Sequence, residues 1–192
     1  SAAGGVDLTG AAFTVNSTIN TAGDGIVEIT NGGLLTIAGG GDMTLDGSFT
    51  QNGVGLVSTA GDITTTNDTI SFGSAVTLTG PVALDTGAGI GNINFASTVN
   101  SDAALTTRDL TLTAGTGSIV FGGAVGTTQS LEDLRIVSAA DVTAVAVTAE
   151  TITQVAGTGT TTFNGAVNTS AAGGVDLTGA AFTVNSTINT AG

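Results

Sequence analysis

Cysteine, histidine, lysine, tryptophan and tyrosine are all missing from the 192 residues, and the only basic side chains are Arg108 and Arg135. Each absence removes a class of function. Without thiols there is no disulfide framework and no cysteine metal centre. Fifteen carboxylates against two arginines leave a net charge of −13. That excludes the clustered Lys and Arg that draw proteins to nucleic acid or anionic lipid. No apolar run approaches the roughly 18 residues of a membrane-spanning helix, so membrane insertion is not expected. No charged-then-apolar leader stands at residue 1, and any export signal is expected outside this stretch. The aromatics are seven Phe and nothing else, so a core must be built from Val, Ile, Leu, Ala and those few rings.

What is present reads as strand almost throughout. Short runs alternate apolar residues with Thr, Asp, Glu or Asn: GVDLTG at 5–10, IVEITN at 26–31, DMTLDG at 42–47, AVTLTG at 75–80 and DLTLT at 109–113. In the first of these, Val6 and Leu8 face one way and Asp7 and Thr9 the other, the period-2 pattern of a half-buried strand. β-branched residues dominate these runs, as a pleated surface favours. Between them stand Gly- and Asn-rich corners at 31–33, 39–41, 52–53 and 157–159. Gly and Asn tolerate positive φ and so turn the chain sharply at low cost. LEDLRIV at 131–137 has a faintly helical look but is too short, and too close to further Val, to outweigh strand.

Two periods are superposed on this pattern. Residues 1–23 and 170–192 are the same string, SAAGGVDLTGAAFTVNSTINTAG, 169 positions apart without one substitution. Residues 1–169 are therefore read as one full repeat unit and 170–192 as the start of the next. The residues after Gly192 are expected to read Asp-Gly-Ile-Val-Glu-Ile-Thr, as they do after Gly23. A shorter echo lies inside the unit: FGSAV at 72–76, FASTV at 95–99, FGGAV at 121–125 and FNGAV at 163–167. Phe49 precedes Phe72 by the same interval that separates Phe72 from Phe95. Periods of roughly 20–50 residues made of short strands and Gly turns mark a solenoid. A coil of about 21–26 residues has room for three short strands and three corners. Each unit would then hold seven to eight coils and rise roughly 34–38 Å along the axis.

The expected architecture is accordingly all-β, a parallel β-helix, with Phe49, Phe72, Phe95, Phe121 and Phe163 stacked as a core ladder at one corner. Coils of this kind cannot bury their own core, and stability comes from neighbours. Arrays of β-sandwich modules are the competing fold. They run near roughly 100 residues with strands at about 8–12-residue spacing, and neither period here matches.

The Gly-, Thr-, Asn- and Val-rich coils with GAV and LTLT fragments resemble the repetitive stalks of filamentous-haemagglutinin-type adhesins and other giant bacterial surface proteins. The likeness runs over nearly the whole chain and rests on no single diagnostic motif. It implies a right-handed parallel β-helix, export to the cell exterior, and a role as stalk, fibre or adhesive surface. The secretion-domain motifs of that family are absent from this stretch.

Chemistry-bearing residues are sparse. Enzymes on parallel β-helices need clustered carboxylates and a basic residue, or paired carboxylates with aromatic sugar platforms. Here Lys, His, Trp and Tyr are missing, and Arg108 beside Asp109 and Arg135 beside Glu132 and Asp133 read as solvated surface charge. No enzyme activity and no cofactor are expected. For calcium, which takes several oxygen ligands, Asp24, Asp42 and Asp46 are the candidate ligands. The commoner role of Asp at a Gly corner is to hydrogen-bond the turn. Thr-x-Thr triplets at 77–79, 111–113 and 151–153 suggest ice-binding ranks, but their gaps of 34 and 40 do not place them on consecutive coils. N-glycosylation sequons occur at Asn16, Asn67, Asn168 and Asn185.

These features point to an extracellular structural module whose main partner is itself, through adjacent repeats along a fibre axis. The alternatives are a subunit that polymerises non-covalently, and an adhesin repeat that binds a surface or carbohydrate receptor.

Overall fold

The computed structural model describes residues 4–103 and 108–191. Ser1, Ala2, Ala3 and Gly192 of the repeated string lie outside the described residues. Every described element is a strand, and every strand pairing is parallel. The chain winds as a β-solenoid of three faces, so that each strand stacks on its counterpart one coil later.

Among the described residues the first face carries nine strands, starting with Val6–Gly10, Val27–Asn31, Phe49–Gln51, Ile70–Phe72 and Ile93–Phe95. It continues with Ile119–Phe121, Val142–Ala144, Thr160–Phe163 and Ala181–Val184. The second face holds Phe13–Val15, Leu35–Ile37, Val57–Thr59, Val76–Leu78 and Val99–Ser101. It runs on through single bridges from Val99 to Val125 and from Val125 to Val147. The third face holds Ile19–Asn20, Met43–Leu45, Ile63–Thr65, Val82–Asp85, Leu110–Thr113 and Leu131–Ser138. Strand Val147–Gln154 crosses two faces: residues 147–149 pair with Val167–Thr169 on the second, and residues 152–154 pair with Val175–Leu177 on the third. The LEDLRIV segment is part of one of the two longest strands, in agreement with the strand expectation.

Register makes the core. On the first face one inward column runs Val6, Val27, Phe49, Ile70, Ile93, Ile119, Val142, Thr161, Phe182. The step between successive members is the length of one coil, shortest from Val142 to Thr161 and longest from Ile93 to Ile119. The second inward column runs Leu8, Ile29, Gln51, Phe72, Phe95, Phe121, Ala144, Phe163, Val184. Alternation with the pleat sends the intervening residues outward. In-register parallel stacking sets like groups on like groups, and the backbone N–H and C=O groups pair between coils. The coils press together closely enough that a Cβ on Gly55 would collide with the carbonyl oxygen of Gly33, so this corner admits only glycine.

The Phe-x-x-Ala/Thr-Val motif now has a structural meaning. Phe72, Phe95, Phe121 and Phe163 each end a first-face strand, and Val76, Val99, Val125 and Val167 each take up the second face four positions later. The motif is the corner between those two faces.

Candidate functional site

Along the core axis, the rings of Phe72, Phe95 and Phe121 stack nearly parallel, with centroids 5.5 and 5.3 Å apart and interplanar angles of 4° and 1°. Phe49 stands outside that column. It occupies the neighbouring inward position, opposite Ile70, and meets Phe72 at 5.2 Å and a 51° tilt. Phe163 is separated from Phe121 by Ala144. The five rings therefore form a stack of three flanked by two outliers, all buried. The equal spacing of Phe49, Phe72 and Phe95 does not put all three at one position. The coil that starts at Phe49 returns to Ile70, so Phe72 lands one inward position further on.

A second internal feature is polar. Gln51 sits in the inward column between Ile29 and Phe72 and is fully buried. Its Nε2 donates to Asn31 Oδ1 at 2.7 Å and to Gly53 O at 2.9 Å, and its Oε1 accepts from the Ser74 N–H at 3.0 Å. Asn31, Gln51 and Ser74 belong to three successive coils and clamp the first-to-second corner across them. Buried polar groups of this kind are costly unless paired, and here they are paired. The signal stands in the sequence as parity, since Asn31 and Gln51 fall two positions after the inward Ile29 and Phe49. A second buried amide, Gln154, accepts from the Thr161 hydroxyl at 2.7 Å.

Several carboxylates serve backbone. Asp42 Oδ1 accepts the N–H of Asp62 one coil on at 2.9 Å, Asp62 Oδ1 accepts that of Ala83 at 2.8 Å, and Asp141 Oδ1 accepts that of Thr160 at 2.7 Å. Of the three candidate calcium ligands, Asp24 and Asp46 are brought together, but through the Asp24 N–H, which donates to Asp46 Oδ2 at 2.9 Å. Asp42 is engaged with Asp62 instead. Among the described residues no group of three or more carboxylates is placed to hold a metal ion.

Arg108 differs from the expectation of a sequence neighbour as its partner. Arg108 Nε pairs with Asp102 Oδ1 at 2.6 Å, while the Asp109 carboxylate accepts the Asp133 N–H at 3.2 Å. The hydrogen bond from Arg108 holds the Asp102 carboxyl below its ordinary value. Arg135 lies outward on the third face between Thr111 and Thr153. Nearby, burial pushes the Asp133 carboxyl up, with the charges of Asp109 and Glu150 adding to it. The Thr151 hydroxyl donates to Asp133.

Surface charge is uneven. The outward column of the second face reads Thr14, Thr36, Ser58, Thr77, Asn100, and further on Thr148, Asn168, Asn189, with no charge in it. Of these, Asn189 Nδ2 donates to Asn168 Oδ1 at 2.8 Å. Carboxylates gather instead along the third face and its flanking corners. The Thr-x-Thr triplets do not share a rank: Thr77 belongs to the second face, whereas Thr111 and Thr153 belong to the third and are separated by Arg135.

The feature most specific to this chain is the repeated string itself. In its first copy Val6 and Leu8 stand on the first face, Phe13 and Val15 on the second and Ile19 on the third. In its second copy the corresponding Val175 and Leu177 stand on the third face, Phe182 and Val184 on the first and Ile188 on the second. The inward residues are the same in both copies. Only the face has changed.

The class defined by this geometry is the parallel β-solenoid repeat protein. Compared with protein-family models, curated proteins and solved structures, the chain matches none.

Proposed function

We propose that the chain is a non-catalytic structural module of a giant extracellular repetitive protein, in which continuous stacking of coils builds a long, stiff fibre or adhesin stalk. One observation carries this reading. The second copy of the repeated string adds its strands in register to the coils before it, Thr161 to Phe182 and Val167 to Ile188 among them, so the start of a new repeat extends the same column of sheets. A solenoid that can accept its own next repeat has no intrinsic length limit. The scarcity of Lys and Arg leaves few sites for trypsin-like proteases, which suits an exposed filament. The net charge keeps neighbouring fibres apart at low salt and allows bridging by divalent cations.

Denaturing electrophoresis of the native material tests this directly. One continuous chain of many repeats barely enters the gel. A discrete band near 18.3 kDa would replace the reading with that of a non-covalently polymerising subunit.

A further inference from the structure

The two copies of the repeated string fix a quantity that the fold alone leaves open, namely how many turns one repeat unit makes. From Val6 the first-face column advances through Val27, Phe49, Ile70, Ile93, Ile119 and Val142 to Thr161, which is seven full coils. Val175, the twin of Val6, then lies two faces beyond Thr161, on the third face opposite Ile152.

We propose that the unit spans seven turns and two further faces, so that successive units of the array are rotated by two of the three faces about the fibre axis. The rotation within this chain stands on the pairings above. Its extension along a fibre rests on the tandem reading under Proposed function.

Physical reasons for the phase lie in coil length and corner chemistry. Returning Val175 to the first face would require a complete coil between Thr161 and Val175. That stretch is well short of even the shortest coil of the column, Val142 to Thr161. Three strands and three corners do not fit in it. The string also suits its new position. Val184-Asn-Ser-Thr-Ile188 turns from first to second face in a step of four, as Phe95-Ala-Ser-Thr-Val99 does. In the first copy the identical residues Val15 to Ile19 turn from second to third face in the same step. Inward-outward parity is all that either corner demands of them.

The consequence concerns what the fibre displays. The charge-free outward column that begins at Thr14 on the second face restarts with Thr183 on the first face in the next unit. The acidic third face moves likewise. At ~4.8 Å per coil each unit rises about 37 Å, and a given surface returns to the same side only after three units, about 110 Å. A partner recognising one face therefore meets the fibre from three directions, and no continuous acidic or neutral stripe runs its length.

The test uses the 192-residue chain, whose lack of cysteine makes paired labels unambiguous. Pyrene is attached to outward cysteines in Thr153→Cys/Asp176→Cys, which are neighbours on the third face, and in Thr162→Cys/Thr183→Cys, neighbours on the first. Thr162→Cys/Asp176→Cys, which joins the two positions that would be neighbours if the string kept its face, is the third variant. Circular dichroism verifies that each is folded. Excimer emission several-fold above the singly labelled chains is expected from the first two pairs and none from the third. Excimer from the third pair, or its absence from either of the first two in folded protein, overturns the proposal. A single subunit-sized band in the electrophoresis above would instead remove the tandem array while leaving these labels to report the phase.

Discussion

Residues 6–20 and 175–189 have the same sequence and opposite surroundings. Val15 in the first copy is covered by the coil that follows and keeps 8% of its surface exposed, whereas its twin Val184 is 41% exposed. Phe13 is half-buried against Leu35, and Phe182 is exposed against Thr161, although each stands on the terminal strand of its sheet. Their electrostatic neighbours differ too: Asp7 stands opposite Glu28, Asp176 opposite Thr153. The lesson is a division of labour. The sequence of a coil determines which side chains point inward, and the neighbouring coils determine the face it occupies and how much it buries.

The second copy loses most when the coil beneath it is cut back. Phe163 is the platform on which Val184 rests. Phe163→Ala is expected to cost about 3–5 kcal/mol. Hydrogen exchange should then show lost protection at residues 181–184 with residues 13–15 unchanged, and equal loss in both copies would contradict the nearest-neighbour account. The clamp nearer the first copy comes next. Gln51→Leu keeps the volume apolar but strands Asn31 Oδ1 and the Ser74 N–H, at about 1–3 kcal/mol for each buried group left unpaired. A fall in the urea midpoint measures it.

The twins themselves sharpen the contrast. Val15→Ala removes two buried methyl-sized groups and should cost about 1.5 kcal/mol at ~0.8 kcal/mol each. Val184→Ala, at an exposed site, should stay within about 0.5 kcal/mol. Equal costs in chemical denaturation would mean that burial does not differ between the copies. The smallest effect is electrostatic and belongs to the third face alone. Because the Asp133 carboxyl is raised above its ordinary value of 3.8, the native state holds that proton more tightly than the unfolded chain does. Its ionisation therefore opposes folding, with no penalty below pH 3.8 and the full penalty above the raised native value. Asp133→Asn retains an acceptor for Thr151 and is expected to raise Tm slightly at neutral pH and to leave it unchanged near pH 3.

Much of the architecture is legible because a solenoid is written in local rules. Alternation in GVDLTG and DMTLDG identifies inward residues correctly, and the spacing of Phe-x-x-Ala/Thr-Val matches the length of the central coils. What escapes is whatever depends on counting across corners of unequal length. Phe49 falls into the adjacent column for that reason. Gln51 and Asn31 are hidden because polar residues read as outward, although their parity places them inside. Arg108 finds Asp102 rather than adjacent Asp109, a partner that sequence adjacency does not reveal. The change of face between the two copies is hidden for the deepest reason: identical strings carry no mark of phase, and only the sum of all intervening coils sets it.

Through-space NMR contacts between backbone amides of adjacent coils test that sum most directly. Thr14 should show contacts to Thr36 on the second face, while its twin Thr183 shows contacts to Thr162 on the first. Contacts from Thr183 to Asn168 on the second face, with none to Thr162, would return the repeat to the face where it began and contradict the account.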